Sequence, residues 1–237
     1  DIPLNTLNKV QSMQVEALVE GKTFLDTSNI QGFLETLFYP LYFLDFETFF
    51  TPMPLFDGIR PYQQVPFQYS LHSLAKDGAS LAHAEFLAAV NSDPRQDLIA
   101  QLLNDIPEKA CIIVYTGFEA ARLRDLAEWF PACRERIEEM INNIRDLAVP
   151  FKQMDYYHRE LNGSYSIKNV LPHLVPEMSY EGLEVRNGGM AIDAWFNMAA
   201  SEDPAEIDAI RNALLAYCGV DTLAMVKILE RLREISL

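Results

Sequence analysis

Residues 41–48, Leu41-Tyr42-Phe43-Leu44-Asp45-Phe46-Glu47-Thr48, form a short apolar run that follows Pro40 and carries two carboxylates. A near-continuous apolar run of this kind is typical of a strand buried on both faces. Because side chains at positions i and i+2 of a strand point to the same face, Asp45 and Glu47 are expected to lie side by side. Two like charges beside a core are unfavourable unless a cation lies between them. The run therefore predicts either a divalent-metal site with oxygen ligands or a strand end where both carboxylates face water.

The hydrophobic pattern on both sides of this strand predicts a mixed α/β domain. Helices are expected over residues 6–19, with Thr6 as N-cap, and directly after Ser28. Further strands are expected near residues 66–74, 83–88 and 110–115, and helices near residues 95–105 and 118–130. Beyond Pro131 the chain is expected to be mostly helical. This order predicts a three-layer architecture, in which the first three strands are antiparallel neighbours and the fourth pairs in parallel after a crossover helix.

The length and composition are those of an ordinary globular chain, with 237 residues of which 49% are hydrophobic. That length suits one large domain, and we expect a helical lead-in at residues 1–38 and a main domain at residues 39–237. No apolar run approaches the roughly 18 residues that span a bilayer, so no membrane association is expected. The chain begins at Asp1 without a Met or a signal-peptide pattern, which suggests part of a longer protein. Reduced thiols and a cytoplasmic location are predicted by three cysteines without paired spacing, Cys111, Cys133 and Cys218.

The formal net charge of −15 limits the possible partners. A field of that sign repels phosphate backbones and argues against broad electrostatic binding of duplex DNA. It does not exclude an enzyme that handles nucleic acid through metal ions, because bound cations supply positive charge locally.

Two more carboxylates occupy positions where they could take part in catalysis or metal binding. Glu119 falls in the first turn of the helix that begins after Gly117, where the helix dipole also favours an acid without any function. Tyr217 and Asp221 have the i, i+4 spacing that places both on one helix face. Taken alone, that pair is better explained by a half-buried tyrosine beside a solvated aspartate.

In this order and on these elements, the three patterns resemble the DEDD (DnaQ-like) 3′–5′ exonuclease superfamily of the ribonuclease H-like fold, in its DEDDy variant. Asp45 and Glu47 match the Asp-x-Glu of the first strand, and Glu119 matches the acid of the second motif. Tyr217 and Asp221 match the tyrosine and the last acid. The resemblance implies a ribonuclease H-like three-layer fold with a mixed central sheet and a helical C-terminal half. It also implies hydrolysis of phosphodiester bonds at the ends of single-stranded DNA or RNA, or of a short oligonucleotide.

The same resemblance implies a role for each matched residue in a site with two Mg²⁺ or Mn²⁺ ions. Asp45 would bridge the two ions, while Glu47 and Asp221 would each hold one. Glu119 would bind directly or through water. Tyr217 would orient the attacking water rather than act as the base, because an unperturbed phenol titrates near pH 10.

The substrate is expected to contact Thr48 and Phe118, which flank the motifs, and Lys168. Lys168 lies at a helix start that could bind a phosphate, although an exposed helix lysine is an equally good interpretation. Residues 60–64 and 156–158 mix aromatic and polar groups that could stack on bases, although such aromatics more often pack on a core. The histidines are scattered along the chain, and no metal is assigned to any of them: His72, His83, His158 and His173.

The second motif departs from the family pattern. Glu119 stands where the family has Asp, and Tyr115 stands where it has Asn. The extra methylene displaces the carboxylate by about 1.5 Å, enough to shift a metal ligand. Asp146 is the reserve candidate for this position, because Asp125 lies six residues beyond Glu119 and faces away.

Residues 42–48 and 217–223 also resemble an uncharacterised bacterial family in which such a domain follows a RecB-type nuclease domain, so a fused nuclease domain is a possible partner. Two alternatives stay open: a ribonuclease H-like interaction module without catalysis, and a small-nucleotide phosphodiesterase. Convergence of the four carboxylates would favour an enzyme. Carboxylates that are splayed apart, or paired with Arg122 or Lys168, would favour the module.

Overall fold

A computed structural model describes residues 6–237, so the first five residues of the expected lead-in lie outside it. The helices are α1 (Lys9–Glu20), α2 (Thr27–Leu34), α3 (Arg95–Asp105), α4 (Phe118–Trp129), α5 (Arg134–Asn142), α6 (Val149–Lys152), α7 (Ile167–Leu174), α8 (Gly188–Ala200) and α9 (Pro204–Ile235). The strands are β1 (Phe24–Leu25), β2 (Leu41–Phe49), β3 (Val65–Leu74), β4 (Ala82–Leu87), β5 (Cys111–Val114), β6 (Ile144–Asp146) and β7 (Tyr156–Tyr157). The chain is therefore a mixed α/β protein, as predicted.

A five-stranded mixed sheet in the order β4-β3-β2-β5-β6 forms the centre of the molecule. Strands β2, β3 and β4 are antiparallel neighbours, and β5 pairs in parallel with β2. Strand β6 then extends the sheet in parallel with β5. The predicted antiparallel trio and the parallel return of the fourth strand are both confirmed.

Helices cover both faces of this sheet because successive residues of β2 supply both faces with apolar side chains. Phe43 belongs to a core cluster with α7 and α9. Leu44 and Phe46 point the other way, into a cluster with α3, α4 and α5. The predicted three-layer arrangement follows from this alternation.

Several local predictions were wrong. The sheet contains β6 at residues 144–146, where helix was expected, because three residues are too short to show a strand period and pairing with β5 stabilises them. The N-cap of α1 is Asn8 rather than Thr6. Its side chain accepts the backbone N–H of Gln11, and Gln11 accepts the N–H of Asn8 in return. That reciprocal pair of hydrogen bonds satisfies two backbone N–H groups and sets the helix start at Asn8.

The lead-in packs directly on the main body. Strand β1 pairs with β7, and the Asp26 N–H donates to the Asp155 carbonyl at 2.7 Å. Ala17 and Ile30 are fully buried in the same cluster as α9. The first two helices therefore share a core with the sheet.

Helix α9 is long and apolar enough, by length and composition alone, to cross a membrane. More than half of its most apolar window, 56%, is nevertheless buried inside this fold. The helix packs against β2 and β3, and its inner side supplies buried residues to the core. A core helix of this kind passes the same test, so the finding is weak evidence for a membrane span.

Candidate functional site

Four carboxylates from three elements meet where β2 lies against α9. Asp45 and Glu47 share the face of β2 that is covered by α9, and Asp221 comes from α9. Glu119 lies in the first turn of α4, directly after β5, which runs parallel to β2. Asp45 and Glu119 are close enough for a protonated carboxyl of one to donate a hydrogen bond to the other. Asp45 is therefore the common neighbour of the other three carboxylates, and the predicted common face of Asp45 and Glu47 is confirmed.

Burial and mutual repulsion make these carboxylates hard to ionise in the metal-free protein. Desolvation, followed by the charge of Asp221, raises the pKa of Asp45 well above its usual range. Desolvation and then Asp45 raise the pKa values of Glu47 and Glu119 well above theirs. Only 2% of Glu119 is exposed, and its Oε2 has no hydrogen-bond partner among residues 6–237. An orphaned carboxylate oxygen beside other acids is a position that a cation would satisfy.

Two tyrosines lie beside Asp221. The Tyr180 hydroxyl donates to Asp221 Oδ1 at 2.5 Å, and the Tyr217 hydroxyl is near enough to favour the ionised carboxylate. Desolvation raises the pKa of Asp221 to about 6, against the lowering effect of these hydroxyls and of Lys168. Burial and the neighbouring carboxylates raise the pKa of both phenols, so both remain donors at neutral pH. Sequence reasoning missed Tyr180 because it lies in the loop between α7 and α8, where no spacing links it to a motif.

Cys218 is a further residue of the site that sequence reasoning did not assign. Its Sγ lies 3.6 Å from Asp45 Oδ2, in the geometry of a thiol that donates to a carboxylate. Burial and three nearby carboxylates raise the pKa of this thiol well above its usual range. Cys218 therefore stays a neutral thiol that stabilises ionised Asp45. All three cysteines are free, as predicted.

The turn that carries Glu119 into the site is anchored by Asp146. Thr116, at the end of β5, has a φ of 76°, a left-handed conformation that is unfavourable for a β-branched residue. Oδ1 of Asp146 accepts the Thr116 N–H at 2.8 Å and the Ala148 N–H at 2.9 Å. Asp146 thus positions the turn before Glu119. The two backbone hydrogen bonds therefore give Asp146 a structural role beside the site.

Asp146→Ala is expected to lower the free energy of unfolding by about 1–3 kcal/mol, because it leaves two backbone N–H groups without their acceptor. Asp146→Asn keeps an acceptor oxygen and should lose much less. Urea denaturation of the metal-free variants measures both values. Equal losses in the two variants would show that charge, and not the pair of hydrogen bonds, is what Asp146 supplies.

A β-bulge and the start of α8 define the surroundings of Glu47. The register between β2 and β3 shifts between Glu47 and Thr48, and such bulges redirect side chains next to functional sites. A Cβ added to Gly188, the first residue of α8, would lie 3.9 Å from Glu47 Oε2. The helix N-terminus therefore approaches this carboxylate closely, where its partial positive charge is favourable.

The three predicted substrate contacts occupy different environments. Thr48 is buried after the bulge, and Phe118 is partly buried against the α3–α5 cluster. Lys168 is exposed at the start of α7, donates to the Arg186 carbonyl at 2.7 Å, and lies 5.6 Å from the Tyr217 ring centre. Its charge acts on Asp45, Glu47 and Asp221. Lys168 is thus the one of the three that combines exposure with closeness to the acids.

Two sequence interpretations concern aromatic residues. Tyr156 and Tyr157 are buried in the core, the alternative that the sequence favoured over base stacking, and β7 pairs there with β1 of the lead-in. The histidines are not scattered, since His72 stacks on His83 and His158 stacks on His173. Strand pairing and a chain reversal bring together residues that are distant in sequence.

The side chains present fit a cation. Asp45, Glu47 and Cys218 each offer one ligand atom, and these atoms all lie within 4.8 Å of one another. Arg122 pairs with Asp125 and not with Glu119, so the Arg122 guanidinium does not neutralise the cluster.

A family described as a domain of unknown function (DUF2779) matches residues 42–166, more than half of the chain.

The chain belongs to this family. The matched segment contains Asp45, Glu47 and Glu119 but ends before Tyr180 and Asp221. No curated protein matches the chain, and no solved structure does. The geometry of the acidic site therefore carries the functional argument.

Proposed function

We propose that this protein is a metal-dependent 3′–5′ exonuclease that acts on single-stranded DNA or RNA ends and has a ribonuclease H-like fold. The observation that carries the proposal is the convergence of Asp45, Glu47, Glu119 and Asp221, with an unpartnered oxygen on Glu119. Three buried acids and the partly buried Asp45, with so little positive charge beside them, are unfavourable unless cations bind there.

The chemistry of the donor set favours Mg²⁺ or Mn²⁺. The four carboxylates supply the oxygen ligands that these ions prefer. Cys218 would bind a softer ion only as a thiolate, and burial raises its thiol pKa well above its usual range. Once bound, such ions activate water and stabilise a leaving 3′ oxygen.

The other side chains of the site supply binding and orientation. Tyr217 and Tyr180 remain protonated beside Asp221, so the tyrosine of the DEDDy pattern serves as a hydrogen-bond donor and not as a base. Lys168 is exposed beside the acids, where its ammonium is available to a phosphate.

The sheet supports the fold assignment, because three antiparallel strands followed by two parallel ones is the order that a ribonuclease H-like chain needs. The net charge of −15 fits a site that holds only a few nucleotides and obtains positive charge from metal ions. A fused RecB-type nuclease domain would supply a basic surface. Three free cysteines support a cytoplasmic location.

A cleavage assay tests the proposal directly. It uses 5′-labelled single-stranded DNA and RNA with Mn²⁺ or Mg²⁺, and compares the wild type with Asp221→Asn. Asp208→Asn is the matched control, since Asp208 is exposed on the same helix. We expect a ladder that shortens from the 3′ end with the wild type and with Asp208→Asn, and none with Asp221→Asn.

Two outcomes would change the conclusion. Cleavage of a dinucleotide but of neither polymer would replace the exonuclease with a small-nucleotide phosphodiesterase. Absence of both cleavage and metal binding would leave an interaction module built on the same fold.

A further inference from the structure

A second group of metal-ligating side chains lies where the chain reverses before α7. His158 is the N-cap of a short 3₁₀ turn at Arg159–Leu161, Glu160 lies within that turn, and His173 comes from the last turn of α7. The two imidazole rings are nearly parallel, 10° apart, with centres separated by 4.5 Å. Glu160 Oε2 lies 2.8 Å from His173 Nδ1 and 3.7 Å from His158 Nδ1. One ligand atom from each residue falls within 4.8 Å of the other two.

The hydrogen bonds of this group leave the nitrogens suited to a metal. His158 Nδ1 carries a lone pair that accepts only a long hydrogen bond of 3.3 Å from the Glu160 N–H, and an ion bound at this nitrogen would displace that bond. His173 Nε2 lies 2.8 Å from the Tyr156 hydroxyl, which can orient the ring from its far side while Nδ1 faces Glu160. A second partner on the outer nitrogen is the arrangement that orients histidine ligands in metal sites.

We propose that His158, Glu160 and His173 bind one transition-metal dication of the Zn²⁺ class. The ion takes the place of the proton between Glu160 and His173, and Nε2 of His173 then donates to the Tyr156 oxygen. Two imidazoles and a carboxylate are ligands that Zn²⁺ accepts in a four-coordinate site. Glu160 is 63% exposed, so the fourth position is open to water.

The protonation states at neutral pH agree with this geometry. Burial, with the neighbouring His173, lowers the pKa of His158, which keeps its ring neutral. The hydrogen bond from His173 lowers the pKa of Glu160, which keeps it ionised. A neutral imidazole and an ionised carboxylate are the forms that bind metals.

The site is separate from the acidic centre and does not rest on the proposed function. Nitrogen ligands select Zn²⁺ over Mg²⁺, whereas the four carboxylates favour Mg²⁺ or Mn²⁺. The two sites are linked through α7, because this helix carries His173 at its end and Lys168 at its start. A bound ion would fasten α7 to the preceding turn and so restrict the position of Lys168.

The test measures Zn²⁺ binding to metal-stripped protein that carries Asp45→Asn, so that the acidic centre does not contribute. Isothermal titration with Zn²⁺ is followed by the visible absorption of Co²⁺ as a probe of coordination. We expect one equivalent of Zn²⁺, with affinity reduced at least about tenfold by His158→Ala and by Glu160→Gln. His83→Gln, from the other stacked histidine pair, is the control and should bind Zn²⁺ normally.

Glu160→Gln protects the test against misfolding, because Glu160 is exposed and the amide has nearly the same shape. Circular dichroism before titration verifies that each variant is folded. Equal Zn²⁺ affinity in the parent, His158→Ala and Glu160→Gln would overturn the proposal. Failure of the folded parent to bind Zn²⁺ would overturn it as well, and would show that the cluster is only a hydrogen-bonded group.

Discussion

Asp45→Asn is expected to raise the melting temperature of the metal-free protein and to abolish the further rise that Mn²⁺ produces in the wild type. Asp45 lies against Asp221, Glu47 and Glu119, so a neutral amide removes repulsion that the metal-free fold has to sustain. The same amide is a poor metal ligand. At a free metal concentration 100 times the dissociation constant, the wild type should gain about 2.7 kcal/mol of stability. The variant should gain almost none.

The Asp45→Asn variant should also lose nuclease activity, by at least about 100-fold. The reason is that the carboxylate next to the other three acids no longer contributes to charge stabilisation in the site. Differential scanning fluorimetry in EDTA and in Mn²⁺ measures the first effect, and the oligonucleotide assay measures the second. Asp208→Asn should behave as the wild type in both. An equal Mn²⁺ response in the wild type and Asp45→Asn would place the metal elsewhere on the protein.

The stability of the metal-free wild type is expected to fall as pH rises, relative to Asp45→Asn. The carboxyl pKa values in the folded state are raised, to about 6 for Asp221 and well above the usual range for Asp45, Glu47 and Glu119. The folded state therefore binds protons more tightly than the unfolded state. The resulting stability is fully present below the unfolded pKa of about 4 and is lost as pH rises through the folded values.

The comparison with Asp45→Asn isolates this effect from other titrating groups. Burial lowers the pKa of His72 to about 4, and this group removes stability as pH falls, in the opposite direction. That contribution is common to both proteins and cancels in their difference. Urea denaturation in EDTA from pH 5 to pH 8 measures the free energy of unfolding of both proteins. The difference in favour of the variant should grow by up to ~1.4 kcal/mol per pH unit for each extra proton that the folded wild type binds. Parallel curves would mean that the acids are already ionised in the metal-free fold.

The sequence predicted those relations within the site that follow from the side-chain periodicity of a single strand or helix. The strand period of two aligned Asp45 with Glu47, and the helix period linked Tyr217 with Asp221. Glu119 was predicted from the resemblance of the strand-to-helix entry at Gly117 to the family's second motif, and the structure places it in that first turn. Each of these relations acts within five residues.

Other features depend on distant contacts that no local pattern expresses. Tyr180 reaches Asp221 from a loop 41 positions away, and residues 158 and 173 meet only because the turn and α7 fold back on each other. Strand β6 is too short for a period and forms through its pairing with β5. No local pattern predicted the structural role of Asp146 either, whose Oδ1 accepts two backbone N–H groups from the turn before Glu119 and from Ala148.

The position of α9 has a consequence for the order in which the protein assembles. Cys218 touches Asp45 across 173 positions of the chain, and Asp221 lies on the same helix. During synthesis β2 emerges long before α9, so Asp45 and Glu47 remain hydrated while the sheet forms around them. Their transfer out of water coincides with the docking of this last helix, a contact that closes a very long loop. Metal ions present at that moment would neutralise the acids as they become buried, so the ions would act on folding before they act on any substrate.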